Sequence, residues 1–328
     1  MITHLKGKYF NFFVLLFFSL HIISCDAPRN NPLDPLSSNY TGASIDGKVE
    51  TFSIPHLGIP EVTLYWVPAK KYAKTDVEGN FLISEIEAED GLLIIQKEGF
   101  KEDTLDIKWN GAKKITTQID LNIKPVIDSV EISSMVINQT ASTSSSFIDI
   151  RLKVIDKDND VDTVYVRIQN KNINRIMDFN AAEKVYQTDF TKGDLNISDI
   201  EESVGLTFEF YVKDLFNSEF AVGSGNLTRV IKNGVSIISP TSNAVVDSLP
   251  ELRWNSFSAS YSFTFGVEVY TDDQANPVLV YDRKNINRDS TFLKVNSALP
   301  DGDYFWVVWV VDNFKNKVRS IPSFFTVQ

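Results

Sequence analysis

The chain has 328 residues, 43% hydrophobic and 23% charged, enough apolar material for two or three cores at the ~100–200 residues a domain usually takes. Its net charge is −11, with one cysteine and three histidines. The acidic balance argues against a nucleic-acid partner, which is held by basic patches. A lone cysteine excludes an intrachain disulfide and a thiolate metal cage. His4 and His21 fall in an N-terminal apolar segment, so His56 stands alone beyond it. A Ser-His-Asp triad or a multi-histidine zinc site is therefore short of parts.

Lys6 and Lys8 precede an apolar run over residues 9–23, YFNFFVLLFFSLHII, which stops at Ser24-Cys25. Charged, then apolar, then small is the layout of a secretory signal, and the run is short of the ~20 apolar residues a spanning helix needs. Ile22-Ile23-Ser24-Cys25 resembles the lipobox of bacterial lipoproteins, with Ile23 where that family prefers Ala or Ser. The resemblance implies that residues 1–24 are a signal peptide and that Cys25 is acylated and becomes the new N-terminus. It places the protein in the cell envelope, lipid-anchored, at the outer membrane or cell surface. An uncleaved membrane anchor with an incidental cysteine is the other reading. Residues 25–40 carry Pro28, Pro32 and Pro35 among Asn and Ser, which predicts an extended tether.

Beyond the tether, short runs of Val, Ile, Thr, Tyr and Phe alternate with Gly, Asn, Asp and Pro clusters. This predicts an all-β chain of β-sandwiches. One short helical turn is expected near residues 197–204. Pro125 and Pro240 mark junctions, giving three modules in series over 41–122, 123–233 and 234–328, each near the ~100 residues of a small sandwich.

In the first module, Gly47, Val49, Gly58, Val62, Thr75, Asp76, Gly79, Phe81, Gly99 and Phe100 resemble the pattern of the carboxypeptidase regulatory-like domain. That resemblance implies a prealbumin-like sandwich without peptidase chemistry. Leu93 departs from it, since the family often carries tyrosine after a glycine such as Gly91. In the second module, a strand over 147–155 runs into an acidic turn, and residues 164–168 leave it. The stretch 171–199 is polar and its strands cannot be ordered from the sequence. Residues 210–217 align weakly with 308–316, allowing one insertion: each is an apolar strand ending in Asp, then Phe, then Asn. The repeat favours related, immunoglobulin-like folds for the last two modules. In the third, Trp254 is expected in the core and residues 261–270 alternate. The spacing from Leu299 to Tyr304 resembles the tyrosine corner of fibronectin type III domains, in which the hydroxyl bonds back to the chain.

Two constellations carry chemistry. Asp156, Asp158, Asp160 and Asp162 alternate in the acidic turn, and hard cations such as calcium want several oxygen ligands. It is not an EF-hand, because Val161 and Arg167 stand where that loop needs Gly and Glu. Asp and Asn are also ordinary residues of a solvated turn, and that use is the commoner. If Tyr304 points inward with Trp306, Val308 and Val310, then Phe305, Val307, Trp309 and Val311 face the other side. Phe305 and Trp309 are then a binding surface for sugars or a partner protein, or are covered by a neighbouring segment. No catalytic residue and no cofactor other than calcium is expected. The function expected is non-enzymatic binding or spacing at the envelope, of a polysaccharide or an envelope protein. The alternatives are an accessory subunit of an outer-membrane uptake or secretion machine, and a hydrolase with an unrecognised carboxylate pair.

Overall fold

The computed structural model describes residues 42–273 and 275–328. The signal peptide, Cys25 and the tether expected over residues 1–40 lie outside the described residues. The fold is all-β, and the chain divides into two compact units between Ile123 and Lys124.

The first unit contains β1 (Ala43–Thr51), β2 (Thr63–Trp66), β3 (Lys71–Lys74), β4 (Asn80–Ile86), β5 (Gly91–Gln96), β6 (Asp103–Ile107) and β7 (Lys114–Leu121). One sheet has the order β4-β1-β7, with β7 parallel to β1, and the other has the order β3-β2-β5-β6. Alternate residues of both sheets bury a shared core, including Ile45 and Val49 of β1, Leu64 and Trp66 of β2, and Leu93 and Ile95 of β5. This is the two-layer solution for sheets with one apolar face. Two loops cross at glycines that have no room for a side chain: a Cβ on Gly58 would lie 1.9 Å from the Glu78 carbonyl oxygen. Buried Thr75 ties the same corner, donating to the Ile59 carbonyl at 2.6 Å and accepting the Val62 N–H at 2.8 Å.

The second unit begins with β8 (Val126–Asn138), β9 (Ser144–Ile155), β10 (Val161–Ile168), β11 (Ile173–Ile176), β12 (Asp178–Asn180), β13 (Val185–Thr191), β14 (Thr207–Asp214) and β15 (Glu219–Asn226). The expected helical turn is a short 3₁₀ segment, Ile200–Ser203, capped by Asp199 and Glu202. The unit continues with β16 (Ile237–Ser239), β17 (Ala244–Val246), β18 (Glu251–Trp254), β19 (Phe263–Thr271), β20 (Leu279–Ile286), β21 (Phe292–Lys294), β22 (Gly302–Asp312), β23 (Lys317–Arg319) and β24 (Ser323–Val327).

This unit has two hydrophobic cores. The first lies between the sheet β11-β10-β14-β15 and the strands β13, β9 and β8, around Phe190, Phe208 and Phe210. The second gathers Trp254, Phe265, Trp306 and Phe325. The two sandwiches share one sheet, β12-β13-β9-β8-β23-β22-β19-β20, because β23 pairs in parallel with β8, Val318 opposite Val136. Buried and half-buried polar groups close the seam. The Asn316 side-chain carbonyl accepts the Ser134 N–H at 2.8 Å, and the Asn138 amide donates to the Arg319 carbonyl at 2.9 Å.

One turn recurs in both units. An aspartate at a strand end accepts the backbone N–H groups of the second and fourth residues after it, and the third residue is left-handed. The aspartates are Asp76, Asp156, Asp214 and Asp312, and the left-handed residues are Gly79, Asn159, Asn217 and Lys315, with φ of 86°, 55°, 64° and 66°. Asp and Asn favour such turns because the side chain supplies the acceptor and the backbone tolerates positive φ. Residues 210–217 and 308–315 therefore correspond without the insertion their sequences suggest: Asn217 matches Lys315.

Candidate functional site

β22 supplies both the core and the outer surface of the second sandwich. Tyr304, Trp306, Val308 and Val310 point inward and are buried, as alternation requires. Tyr304 donates its hydroxyl to the Pro300 carbonyl at 2.8 Å, closing a corner before the strand. Burial raises its pKa, with Asp301 adding to the effect. Trp254, on β18, meets Phe265 edge-on at 5.5 Å in the same core.

The outer face of β22 is not a bare apolar stripe. Val307 is fully buried there, although its position is outward. It lies between Phe305 and Trp309 on its own strand and opposite Glu268 on β19. Phe305 stacks on Tyr270 at 5.1 Å and leans on Phe324 at 5.9 Å. Burial and the hydrogen bond to Glu268 push the Tyr270 hydroxyl up to about 12. Trp309 points into a different setting. Its Nε1–H donates to Glu268 Oε2 at 2.7 Å, and the Lys317 ammonium sits over its ring at 5.0 Å.

Trp309 and Glu268 form part of a cleft of about 410 Å³ on the shared sheet. It spans the seam, with Glu131, Ser133 and Met135 from β8, Asp149 and Arg151 from β9, Asp282 and Lys284 from β20, and Lys317 from β23. Lys315, in the turn before β23, completes it. Four carboxylates and four cations thus surround one indole. Small-molecule pockets are mostly apolar with a small number of polar groups, so this lining of eight charged side chains about one aromatic face suits a polar ligand. Asp149 pairs with Arg151 at 3.1 Å, Asp282 with Lys284 at 3.2 Å, and Glu131 with Lys315. Of the two aromatics expected on this face, the fold brings Trp309 into the cleft and leaves Phe305 beside it in an aromatic stack. Glu268 and Lys317 carry no local signal in the sequence; only the pairing of β19, β22 and β23 gathers them.

The acidic turn lies between β9 and β10. Asp156 accepts the N–H groups of Asp158 at 3.3 Å and Asp160 at 2.8 Å, so its carboxylate is engaged in holding the turn. Asp162 faces elsewhere and accepts the Thr163 hydroxyl at 2.8 Å. Burial, and then the neighbouring carboxylates of Asp156, Asp214 and Asp158, push Asp160 up to about 6. Among the described residues, no three His, Cys, Asp or Glu side chains gather as a metal-holding group. His56 is exposed, and its Nδ1 lies 2.9 Å from the Thr51 carbonyl.

No family model matches the sequence, and no curated protein matches it. Solved structures similar to it are immunoglobulin-like and fibronectin-like β-sandwich domains. The fibronectin(III)-like modules of Clostridium thermocellum CbhA share 12% identity over 62% of this chain and 93% of theirs, with a TM-score of 0.29. The FN1–FN3 domains of chicken CNTN1 share 9% over 88% of this chain and 98% of theirs, at 0.31. BcpA, the major pilin subunit of Bacillus cereus, shares 10% over 87% of this chain and 95% of its own, at 0.25. Likeness at this level does not bear on what the chain binds.

Proposed function

We propose that the chain is a non-enzymatic envelope protein, lipid-anchored through Cys25, that holds a surface ligand in the cleft around Trp309. The ligand is a polysaccharide or a partner protein. The single observation that carries the reading is the cleft itself: an indole ringed by charged side chains from five neighbouring strands and the turn before β23, on one continuous sheet. A ligand bound there would be held by both sandwiches at once, and strands place its contacts more rigidly than loops do. We assign the first unit to the carboxypeptidase regulatory-like fold. The resemblance and the crossing at Gly58 and Gly79 support this, since a bulkier residue at Gly58 would strike backbone. The second unit, which starts at Lys124, holds an immunoglobulin-like sandwich up to residue 233 and a fibronectin type III-like sandwich over 234–328.

Trp309→Ala should abolish retention on a glycan array or capture of an envelope partner, while circular dichroism stays that of the folded protein. Retention unchanged in this variant would place binding elsewhere. Cys25→Ser should eliminate incorporation of a fatty-acid analogue, because no other cysteine can take the thioether. Stable anchoring needs more than one chain's worth of lipid, so the same variant should leave the membrane fraction. A wild-type protein that stays unlabelled would end the lipoprotein assignment.

A further inference from the structure

The carboxylates of the cleft are all engaged, but its cations are not. Glu131, Asp149 and Asp282 each have a basic partner, and Glu268 accepts from both Trp309 Nε1 and the Tyr270 hydroxyl. Arg151, Lys284 and Lys315 are the cations in those pairs. Among the described residues, Lys317 is the cleft cation with no carboxylate within 4.0 Å. Its described contact is the face of the Trp309 ring. Two residues further along β23, Arg319 pairs across to Trp309, so the two share a face. Its Nε is buried and has no hydrogen-bond partner among the described residues. Lys317 is therefore the cleft cation without a carboxylate partner, set against the indole face, while Glu268, the fourth carboxylate, is held at the indole's edge by two neutral donors.

We propose that the cleft takes an anionic saccharide of the hexuronate kind, with the sugar carboxylate on Lys317 and the sugar ring on the Trp309 indole. The inference rests on the reading of this cleft as the binding surface. A cation over an exposed ring is held more weakly than a cation in a charge-assisted hydrogen bond. A ligand carboxylate therefore draws Lys317 off the ring, and the same movement uncovers the indole face for the C–H face of the sugar. The paired carboxylates and cations around the rim offer acceptors and donors to the hydroxyls. The net charge of −11 does not prevent this, because at physiological ionic strength exposed charges beyond about 8 Å are largely screened. Local charge decides.

The test is titration calorimetry on the detergent-solubilised full chain with oligogalacturonate, its methyl ester and an uncharged cello-oligosaccharide. The acid should bind about tenfold or more tighter than the ester, the difference of one charge-assisted contact. Lys317→Gln should remove that preference, so that acid and ester bind alike. Trp309→Ala should weaken all three sugars together. Equal affinity for acid and ester in the wild type overturns the charge inference while the cleft stands as a binding surface. Acid binding that Lys317→Gln leaves intact, or that Trp309→Ala leaves intact, overturns the inference, and the second result removes the cleft as well. Indifference to every saccharide, with an envelope protein cross-linked through this face, overturns it in favour of a protein partner.

Discussion

The turns at Asp214 and Asp312 have the same backbone geometry and opposite surroundings. Each aspartate ends a central strand, accepts two backbone N–H groups at 2.7–2.9 Å, and is followed by an exposed phenylalanine, Phe216 or Phe314. Asp312 faces Arg229, whose Nε lies 3.2 Å from its carboxylate. It also accepts the Asn316 side-chain amide at 3.0 Å, and fully buried Asn316 carries the connection on to Ser134 of β8. Asp214 has Asp160 as a neighbour, and its charge helps raise the Asp160 pKa. One turn has become the joint between two sandwiches, with its charge compensated. The other is an outer corner where carboxylates crowd. The shared motif is a solution to ending a strand, and what surrounds it determines whether it also binds the fold together.

The largest expected effect separates the two. Asp312→Ala leaves Arg229 without its partner and strands N–H groups beside a buried asparagine. Losing one member of a buried pair costs about 3–5 kcal/mol, and Arg229, being partly exposed, puts this case at about 3. Asp214→Ala removes the same two turn bonds from a carboxylate that is also buried, but it breaks no pair with Arg229 and it relieves repulsion on Asp160. About 1 kcal/mol is expected, the ordinary net value of a hydrogen bond. Urea midpoints of the two variants measure the contrast, and equal losses would mean that the surroundings do not matter.

Much of this comparison is written in local pattern and some is not. The inward row Tyr304, Trp306, Val308 and Val310 is visible as simple alternation, Trp254 reads as the core residue of its strand, and the corner at Tyr304 is implied by the resemblance to fibronectin type III domains. The Asp-then-Phe repeat is visible too, but its left-handed residue is Asn in one copy and Lys in the other, so the register is obscured. β8 is hard to see because Asp128, Ser129, Ser133 and Ser134 interrupt its apolar residues. Ser134 is polar because it serves the seam, bonding Asn316, and nothing near it in sequence announces a partner 182 positions away. The cleft is illegible for the same reason: Glu131, Glu268 and Lys317 become neighbours only through the β8–β23 pairing. The strands between 173 and 191 alternate weakly because their outer face is polar.

A smaller effect sharpens the electrostatic half of the comparison. Asp160 is raised to about 6 in the fold, above the ~3.9 of an unperturbed aspartate. Below about pH 4 both states hold the proton and the residue is neutral to stability. Between about pH 4 and pH 6 the folded state holds it more tightly, so stability falls as pH rises through this window and stays lowered above it. Asp160→Asn should raise the melting temperature at neutral pH and flatten the profile between pH 4 and 6 alone. Parallel profiles for wild type and variant would remove Asp214 and Asp156 as sources of repulsion.

The smallest expected effect is that of calcium on the same corner. Calcium takes about six to eight oxygens, whereas Asp156 is already engaged by two N–H groups and Asp162 by Thr163. A real extracellular-type site binds at ~10⁻⁴–10⁻³ M. Occupied a hundredfold above its dissociation constant, such a site adds about 2.7 kcal/mol. In a unit of this size that is a rise of about 5–10 °C in melting temperature. The turn as built should show no such rise on moving the full chain from chelator to excess calcium, because opening Asp156 to a cation would cost the two bonds that hold β9 to β10. A rise of that size, lost in Asp158→Asn with Asp160→Asn, would overturn the expectation. The Asp160 corner would then be compensated as Asp312 is, by a metal ion in the place of an arginine, and the contrast between the two turns would become one of counter-ion rather than of kind.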